Sequence, residues 1–396
     1  MITPSLGDRS LFPTLAPRAY LNHCAISPLS TPVVNKIVEI TTDYAARGTG
    51  AFWRWREAMA ALKVQLAALI GAAPGDLALT PNTTWGVTAI ATCLPWRRGD
   101  RVVVFSGEFP TNVTPWQRAA ELHGLEVVML DVDDFALDPA LGLDRLTAEL
   151  ERGVRLVATS STQFNTGLTM PVGAMAAACH AHGAELFVDG IQSVGLIPLD
   201  VDALKIDYMT CGSHKWLMGP EGTGFLYVRP GRAEHLRPHL AGWLSHEEPT
   251  RFLFEGAGHL RYDRPIRKTA DFLEGGAPNV AGLAALSASV ALLAQLGQPA
   301  LFDHANAYLD ALEAPLIDRG FTSLRSPRPQ ARSGILALKP PPGVEIVALW
   351  RALTDAGVSC TMPDGLLRFA PHWPNHLDEI PFVLSQIDTL TPRAVF

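Results

Sequence analysis

The chain has 396 residues, 48% of them hydrophobic, which is enough to fill the cores of one large and one smaller globular domain. Its 32 basic and 39 acidic residues give a net charge of −7 without a Lys/Arg-rich run, which argues against a nucleic-acid partner. The five cysteines lack the spacing of metal ligands or of a disulfide framework, so we expect no metal site and reduced thiols. No signal-like segment opens the chain, so we expect a cytoplasmic protein.

Short apolar, β-branched segments alternate with helix-compatible segments along the first 230 residues. The predicted strands are, in chain order, RVVVF, LEVVML, VRLVATS, AELFVDG and GFLYVRP. This alternation predicts an α/β fold with a buried, mostly parallel sheet. Because the pattern restarts near Asp271 after a loop rich in charges and aromatic rings, we predict a large α/β domain over 20–265 and a smaller α+β domain over 266–396 together with 1–19.

Two segments in the first third of the chain could contact a ligand. In LTPNTTWGVT the predicted helix begins at Asn82, Thr83 and Thr84, whose N–H groups and hydroxyls could bind a phosphate, although an ordinary helix N-cap has the same sequence. In GEFPTN, Phe109 follows a predicted strand, so its ring could stack on a flat ligand or simply cap the core.

Asp189 and Lys215 form the most informative pair. Asp189 ends the strand AELFVD, and Lys215 lies 26 residues later in CGSHKWLMGPEGTG, after a further predicted strand. Ligands of open α/β sheets bind at the carboxyl ends of the strands. There, a lysine can form a Schiff base with pyridoxal phosphate (PLP) while a carboxylate holds the pyridine nitrogen protonated. A buried Asp/Lys salt bridge is the alternative.

The C-terminal third carries two further features. The segment Ala277 to Phe302 has no charge, but its asparagine, glutamines and alanines favour a buried helix over a membrane span. Arg368 lies in the apolar segment DGLLRFAPH, where it could clamp a substrate carboxylate or pair with a structural acid.

Taken together, these motifs resemble the class V aminotransferase family of fold-type-I PLP enzymes. The resemblance extends from YLNHCAISPLS at Tyr20 to LLRFAPHWPN, and its most specific block is VDGIQSVG…CGSHKWLMGPEGTGFLYV. It implies a PLP-dependent transferase-like fold with a large, mostly parallel, seven-stranded sheet domain and a smaller α+β C-terminal domain. It also implies PLP as the cofactor and a homodimer.

By this resemblance Lys215 is the Schiff-base lysine and Asp189 is the partner of the pyridinium nitrogen. The other positions that the resemblance assigns to the cofactor are Thr83, Thr84 and Ser213 at the phosphate, His214 beside them, Phe109 against the ring, Gln192 near the ring hydroxyl, and Asn165 or Gln163 on that same side.

The resemblance assigns Arg368 to the substrate carboxylate and places Asn22 and His23 near the substrate. Two departures qualify it. Ala277 replaces a threonine that commonly reaches the phosphate of the neighbouring subunit, so that contact is weakened or made by the backbone alone. Cys360 lies only eight residues before the carboxylate arginine, where a strand is expected, so we interpret it as a core thiol and not as the persulfide carrier of a desulfurase.

The expected function is therefore a PLP enzyme that acts at Cα of a small amino acid or amine. Transamination is slightly preferred, because no leaving-group acid or sulfur acceptor is evident. A β-eliminating lyase, such as a C–S lyase, and an epimerase are the alternatives, and a non-catalytic binding protein on the same fold is less favoured. A dinucleotide-binding enzyme is disfavoured because no G-x-G-x-x-G follows an early strand.

Overall fold

A computed structural model describes residues 3–390, so residues 1–2 and 391–396 of the predicted small domain lie outside the described part. The strands are β1 Ala19–Tyr20, β2 Leu77–Thr80, β3 Arg101–Phe105, β4 Glu126–Leu130, β5 Leu156–Ser160, β6 Glu185–Asp189, β7 Tyr208–Gly212, β8 Gly224–Val228, β9 Thr322–Ser323, β10 Leu336–Lys339, β11 Val358–Ser359 and β12 Leu367–Phe369. The helices are α1 Thr31–Arg47, α2 Phe52–Ile70, α3 Thr83–Cys93, α4 Thr114–His123, α5 Asp133–Leu137, α6 Pro139–Leu150, α7 Val172–Ala181, α8 Arg251–Phe254, α9 Val280–Leu296, α10 Gln298–Ile317, α11 Ile346–Asp355 and α12 Ile380–Leu390.

A seven-stranded sheet organises the first 230 residues, with the strand order β2-β8-β7-β6-β5-β3-β4. In this sheet β8 alone runs against the direction of the other six strands, which confirms the predicted mostly parallel α/β fold. Alternate residues of one strand belong to different cores: Val103 and Phe105 pack on one face, Val102 and Val104 on the other. Burial on both faces explains why these strands are continuously apolar.

The register places three strand ends side by side. Ser160 of β5 pairs with Asp189 of β6, and Asp189 pairs with Thr210 of β7. Since these strands are parallel, their carboxyl ends open on one edge of the sheet, where the predicted site residues gather.

A smaller antiparallel sheet, with the order β12-β10-β9, packs with α10, α11 and α12 around a separate core. The start of the chain joins this unit, because β1 pairs with β11 and Leu21 lies in the same core. The domain boundaries themselves stay predictions.

The uncharged segment that begins at Ala277 forms α9 and the first turn of α10. Leu283, Leu286 and Leu293 of α9 are buried in the core that also contains Leu66 of α2. Within residues 3–390 no single helix is long and apolar enough to cross a membrane, and α9 with α10 meets that criterion only as a pair bent by 80°.

Candidate active site

A cavity of about 540 Å³ opens at the carboxyl ends of β6 and β7, between the large sheet and the smaller unit. Its walls include the beginning of α3, the loop after β7 and the segment around β12. It brings together eight of the predicted site residues: Thr83, Thr84, Phe109, Asp189, Gln192, His214, Lys215 and Arg368.

The beginning of α3 forms an anion-binding corner of the cavity. Asn82 caps the helix, its Oδ1 accepting the Trp85 N–H at 2.8 Å. The N–H groups of Thr83 and Thr84 make no hydrogen bond within the described residues, so they remain free to bind an anion. Gly86 lets the helix approach β7, because a Cβ there would lie 2.1 Å from Thr210 Oγ1.

Asp189 is a buried carboxylate at the end of β6, with 2% of its surface exposed. Its Oδ1 accepts the Ile191 N–H at 3.0 Å. Burial raises the pKa of Asp189 to about 7, and the nearby Glu108 adds to the rise, while the Ile191 hydrogen bond and Lys215 oppose it. A cationic donor at its second oxygen would favour the ionised form.

Lys215 has no carboxylate within 4.0 Å among the described residues, so the alternative of an Asp189–Lys215 salt bridge is not observed. Its Nζ lies 5.5 Å from the centre of the Phe109 ring. Burial lowers the pKa of Lys215, although Asp189 acts in the opposite direction. A desolvated, unpaired amine of this kind is suited to covalent attachment and proton transfer.

Each backbone carbonyl from His214 to Leu217 is held by a donor from a distant element. The four contacts are Ser27 N–H to His214 O at 2.7 Å, Ser27 Oγ to Lys215 O at 2.7 Å, His372 Nε2 to Trp216 O at 2.9 Å, and Ser289 Oγ to Leu217 O at 2.7 Å. This clamp fixes the backbone from which the Lys215 side chain extends.

Asn22 and His23, predicted to lie near the substrate, do not line the cavity. His23 is buried behind the lysine loop, and its Nδ1 donates to Ser27 Oγ at 2.8 Å, because the hydroxyl proton of Ser27 is given to Lys215 O. Burial lowers the pKa of His23 well below its ordinary value. Asn22 forms a parallel β-bridge with Ala370, and Cys24, Ala25 and Ile26 line the cavity instead.

Ser213, a predicted phosphate ligand, is also absent from the cavity wall. Its hydroxyl donates to Pro220 O at 2.5 Å and lies 2.5 Å from Thr223 Oγ1. The side chain therefore holds the turn after the lysine in this structure, and its role at the phosphate stays a prediction.

Gln192 lies in the cavity wall with its orientation fixed at both ends. Its Nε2 donates to Cys24 O at 3.1 Å, and its Oε1 accepts the Trp216 indole N–H at 3.0 Å. One N–H of the amide is left to serve the cavity.

The loop after β5 presents neither Asn165 nor Gln163 to the cavity. Asn165 Oδ1 accepts the Thr166 N–H at 2.8 Å, and Gln163 Nε2 donates to Glu108 at 3.1 Å. Phe164, between them, lines the cavity and packs edge-on against Phe109 with ring centres 5.3 Å apart.

Glu108 is a site-proximal residue that the sequence analysis missed. It is buried, accepts the Ser160 N–H at 2.6 Å and is also bonded by the Ser160 hydroxyl and Gln163. Burial raises its pKa. Nothing in its sequence context marks it, because a glutamate in a turn after a strand is ordinarily exposed.

Arg368 of β12 is 5% exposed and lies in the cavity wall. Its Nε donates to Thr361 Oγ1 at 3.0 Å, and its Nη1 donates to Phe164 O. No carboxylate lies within 4.0 Å of its guanidinium among residues 3–390, so the alternative of a structural salt bridge is not observed. The remaining N–H groups can bind a substrate carboxylate.

Cys360 is buried in the core of the smaller unit. Burial raises the pKa of its thiol to about 12, so it carries no thiolate near neutral pH. The core-thiol interpretation agrees with this position.

The family model described as "Aminotransferase class-V" matches residues 19–363. Similar proteins include the "Uncharacterized aminotransferase YcbU" of Bacillus subtilis, 26% identical with 97% of each chain covered, and isopenicillin N epimerase of Streptomyces clavuligerus, 29% identical with 88% of this chain and 87% of that protein covered. A cysteine desulfurase of Dickeya dadantii is 30% identical, with 81% of this chain and 76% of that protein covered.

Two solved structures show the same fold. The cystine C–S lyase C-DES, in complex with cysteine persulfide, has a TM-score of 0.86 and 23% identity, covering 96% of this chain and 100% of that one. The cysteine desulfurase CsdA of Escherichia coli has a TM-score of 0.83 and 24% identity, covering 96% and 97%.

Proposed function

Since this chain belongs to the class-V aminotransferase family, whose members are PLP-dependent enzymes, we propose that it transfers the amino group of a small amino acid or amine. The observation that supports this proposal is the unpaired Lys215, which lies in one cavity with Asp189 and Arg368.

The cavity residues fit PLP at four places. The free N–H groups of Thr83 and Thr84 suit its phosphate, and Asp189 suits its ring nitrogen. Phe109 offers a ring face, and Lys215 would hold the cofactor covalently through Nζ. When bound, PLP supplies an electron sink for negative charge that develops at the substrate Cα.

The chain's own groups provide the binding and the proton transfers. Arg368 binds the substrate carboxylate and thereby orients Cα, and Asp189 provides a negative charge at the buried end of the cavity once a cationic donor binds its second oxygen. Lys215 takes the Cα proton through Nζ, which its lowered pKa leaves neutral more often near pH 7.

Transamination is favoured because Lys215 can both remove the Cα proton and return it to a carbon two bonds away. Phe109 lies in the cavity wall but carries no titratable group, so it cannot donate a proton to a β leaving group. The pKa of His214 is lowered by burial and by Lys215, so its imidazole is neutral near pH 7 and a poor acid for a β leaving group.

A β-eliminating lyase and an epimerase are the alternatives, since both begin with the same proton removal and relatives bear such names. A binding protein without catalysis is less favoured, because Lys215, Asp189 and Arg368 are all present in the cavity.

The holoenzyme, incubated at high concentration with single amino acids, tests the reaction type. Transamination predicts up to one 2-oxo acid per active site without ammonia, and turnover only when a second 2-oxo acid is added. Release of ammonia with an oxo acid would indicate elimination, and loss of an α-deuteron without either product would indicate epimerisation. A PLP-treated protein that yields none of these with any amino acid contradicts the proposal.

We also propose a cytoplasmic homodimer. Phe52, Trp53 and Phe254 form an aromatic surface with ring centres 5.0 to 5.4 Å apart, and Trp53 is 53% exposed. Apolar patches of this kind favour protein contacts. Ala277 and Phe52 line one cleft, so Ala277 lies next to this aromatic surface, where its backbone could contact the cofactor of the partner subunit.

Sedimentation tests the dimer. Trp53→Arg is expected to give monomers, whereas Leu137→Arg, at a residue 74% exposed at the end of α5, is expected to leave the dimer intact. A monomeric parent protein would contradict the homodimer.

A further inference from the structure

The cavity around Arg368 is walled by apolar side chains that the mechanism does not use. These side chains are Ile26, Phe164, Trp350, Met362 and Pro363. They come from four separate parts of the chain and face one another only in the folded protein.

The contacts of Arg368 place this apolar wall directly beside its guanidinium. Thr361 accepts a hydrogen bond from Nε at 3.0 Å, and Met362 and Pro363 follow it in sequence. The Phe164 carbonyl accepts from Nη1. A carboxylate bound by Arg368 would therefore bring the substituents of its α-carbon against these side chains.

The wall is held in place by hydrogen bonds. The Trp350 indole N–H donates to Cys360 O at 2.9 Å, one residue before Thr361. At the rim, Ile26 is 50% exposed while its carbonyl accepts from the Tyr20 hydroxyl. A preformed apolar surface binds an apolar group without a large ordering cost.

The other charged side chains of the cavity are assigned elsewhere. Asp189 and Lys215 serve the reacting centre, and His214 and Glu221 belong to the loop near the start of α3. A Cβ at Gly212 would lie 3.0 Å from Thr83 Oγ1 and 3.4 Å from His214 Cε1, which locates His214 at the anion-binding corner. None of the five side chains of the apolar wall carries a charge. A charged substrate side chain packed against them would therefore have no ionic partner there, and burying it would be costly.

We infer that the substrate is an α-amino acid whose side chain is apolar and longer than a methyl group, an inference that rests on the proposed function. Side chains of the size and polarity of leucine or methionine match the wall, whereas acidic and basic side chains do not.

Simple carboxylates test the wall without requiring the reaction. Calorimetric titration of the holoenzyme compares acetate, succinate and 4-methylpentanoate. Each buried methylene adds about fourfold in affinity, so 4-methylpentanoate is expected to bind at least about tenfold more tightly than acetate or succinate. Met362→Ala and Ile26→Ala are expected to reduce that preference several-fold.

A charge placed in the wall is the sharper test. Met362→Lys is expected to raise the affinity of succinate relative to 4-methylpentanoate by about tenfold or more. Met129→Lys makes the same substitution at a 53% exposed position on the edge strand β4 and is expected to leave the ratio unchanged.

Equal affinities for the three carboxylates in the parent protein would overturn the inference, even where the 2-oxo acid assay succeeds. Failure of that assay with the selectivity intact would overturn the proposed reaction and still support the apolar substrate wall. An unchanged ratio in Met362→Lys would overturn the placement of the wall beside Arg368.

Discussion

The strand β6 begins and ends with a buried carboxylate, and the two ends differ in how that charge is treated. The Glu185 carboxylate at the amino end forms ion pairs with Arg232 at 2.5 Å and Arg155 at 3.0 Å, and it accepts a hydrogen bond from the Tyr208 hydroxyl at 3.2 Å. Asp189 at the carboxyl end accepts only a backbone N–H among the described contacts, and no cation lies within 4.0 Å of it.

The contrast extends to the neighbouring strands. Asp207, just before β7, is fully buried and bonded by Arg232, by His180 at 2.8 Å and by the Leu186 N–H at 2.9 Å. At the opposite edge of the sheet, Lys215 and Arg368 have no carboxylate partner within 4.0 Å. Charges that are satisfied internally stabilise the fold, whereas charges left unpaired in a cavity are available to a ligand.

The largest expected effect is loss of activity in Lys215→Ala, at the side of the sheet where the charged side chains have no ionic partner. Removing the group that attaches the cofactor and transfers the Cα proton should lower kcat by at least about a thousandfold. Since Lys215 has no ion pair to lose, the free energy of unfolding of the cofactor-free protein should not fall. Oxo acid assays and urea unfolding measure the two quantities, and full activity in the variant would contradict the assignment.

At the amino ends of β6 and β7, Asp207→Asn should destabilise the protein by about 1–3 kcal/mol, because the fully buried carboxylate loses its charged hydrogen bonds to Arg232 and His180, although Arg232 keeps Glu185 as a partner. Activity per folded molecule should be unchanged. Asp202→Asn provides the matched control, since its pair with Lys205 is exposed and should contribute no more than about 1 kcal/mol. Equal unfolding midpoints for both variants would contradict the contrast between the two edges.

Asp189→Asn should instead stabilise the cofactor-free protein at pH 8, by about 1–3 kcal/mol. The folded-state pKa of about 7 lies above the unfolded value, so the folded state holds the proton more tightly and stability falls as pH rises from about 4 to 7. The advantage of the variant should therefore vanish near pH 4, while its affinity for PLP falls. Urea unfolding at several pH values checks the sign, and a variant less stable at pH 8 would refute it.

The smallest expected effect concerns the clamp behind the lysine. Ser27→Ala removes the hydroxyl that donates to Lys215 O and should lower kcat by about fivefold, equivalent to about 1 kcal/mol, with little change in KM. Ser27→Thr keeps the hydroxyl and should restore the rate. A change in KM alone would indicate a substrate contact instead.

Much of the fold was predictable because its signals are local. The strands β3 and β5 to β8 are buried on both faces, and α3 carries its own N-cap in Asn82. The spacing of Asp189 and Lys215 then placed both residues at one edge of a parallel sheet.

By itself, the sequence determined the alternation of strands and helices, the family, and a site that contains Lys215, Asp189 and Arg368. Only the tertiary structure decided which loop side chains face the cavity. The side chains of His23, Ser213 and Gln163 bond to Ser27, Pro220 and Glu108 and do not line the cavity, whereas Phe164, Trp350 and Met362 do. Backbone periodicity fixes side-chain direction in a strand, but in a loop the direction depends on contacts that can lie hundreds of residues away, such as Arg368 to the Phe164 carbonyl.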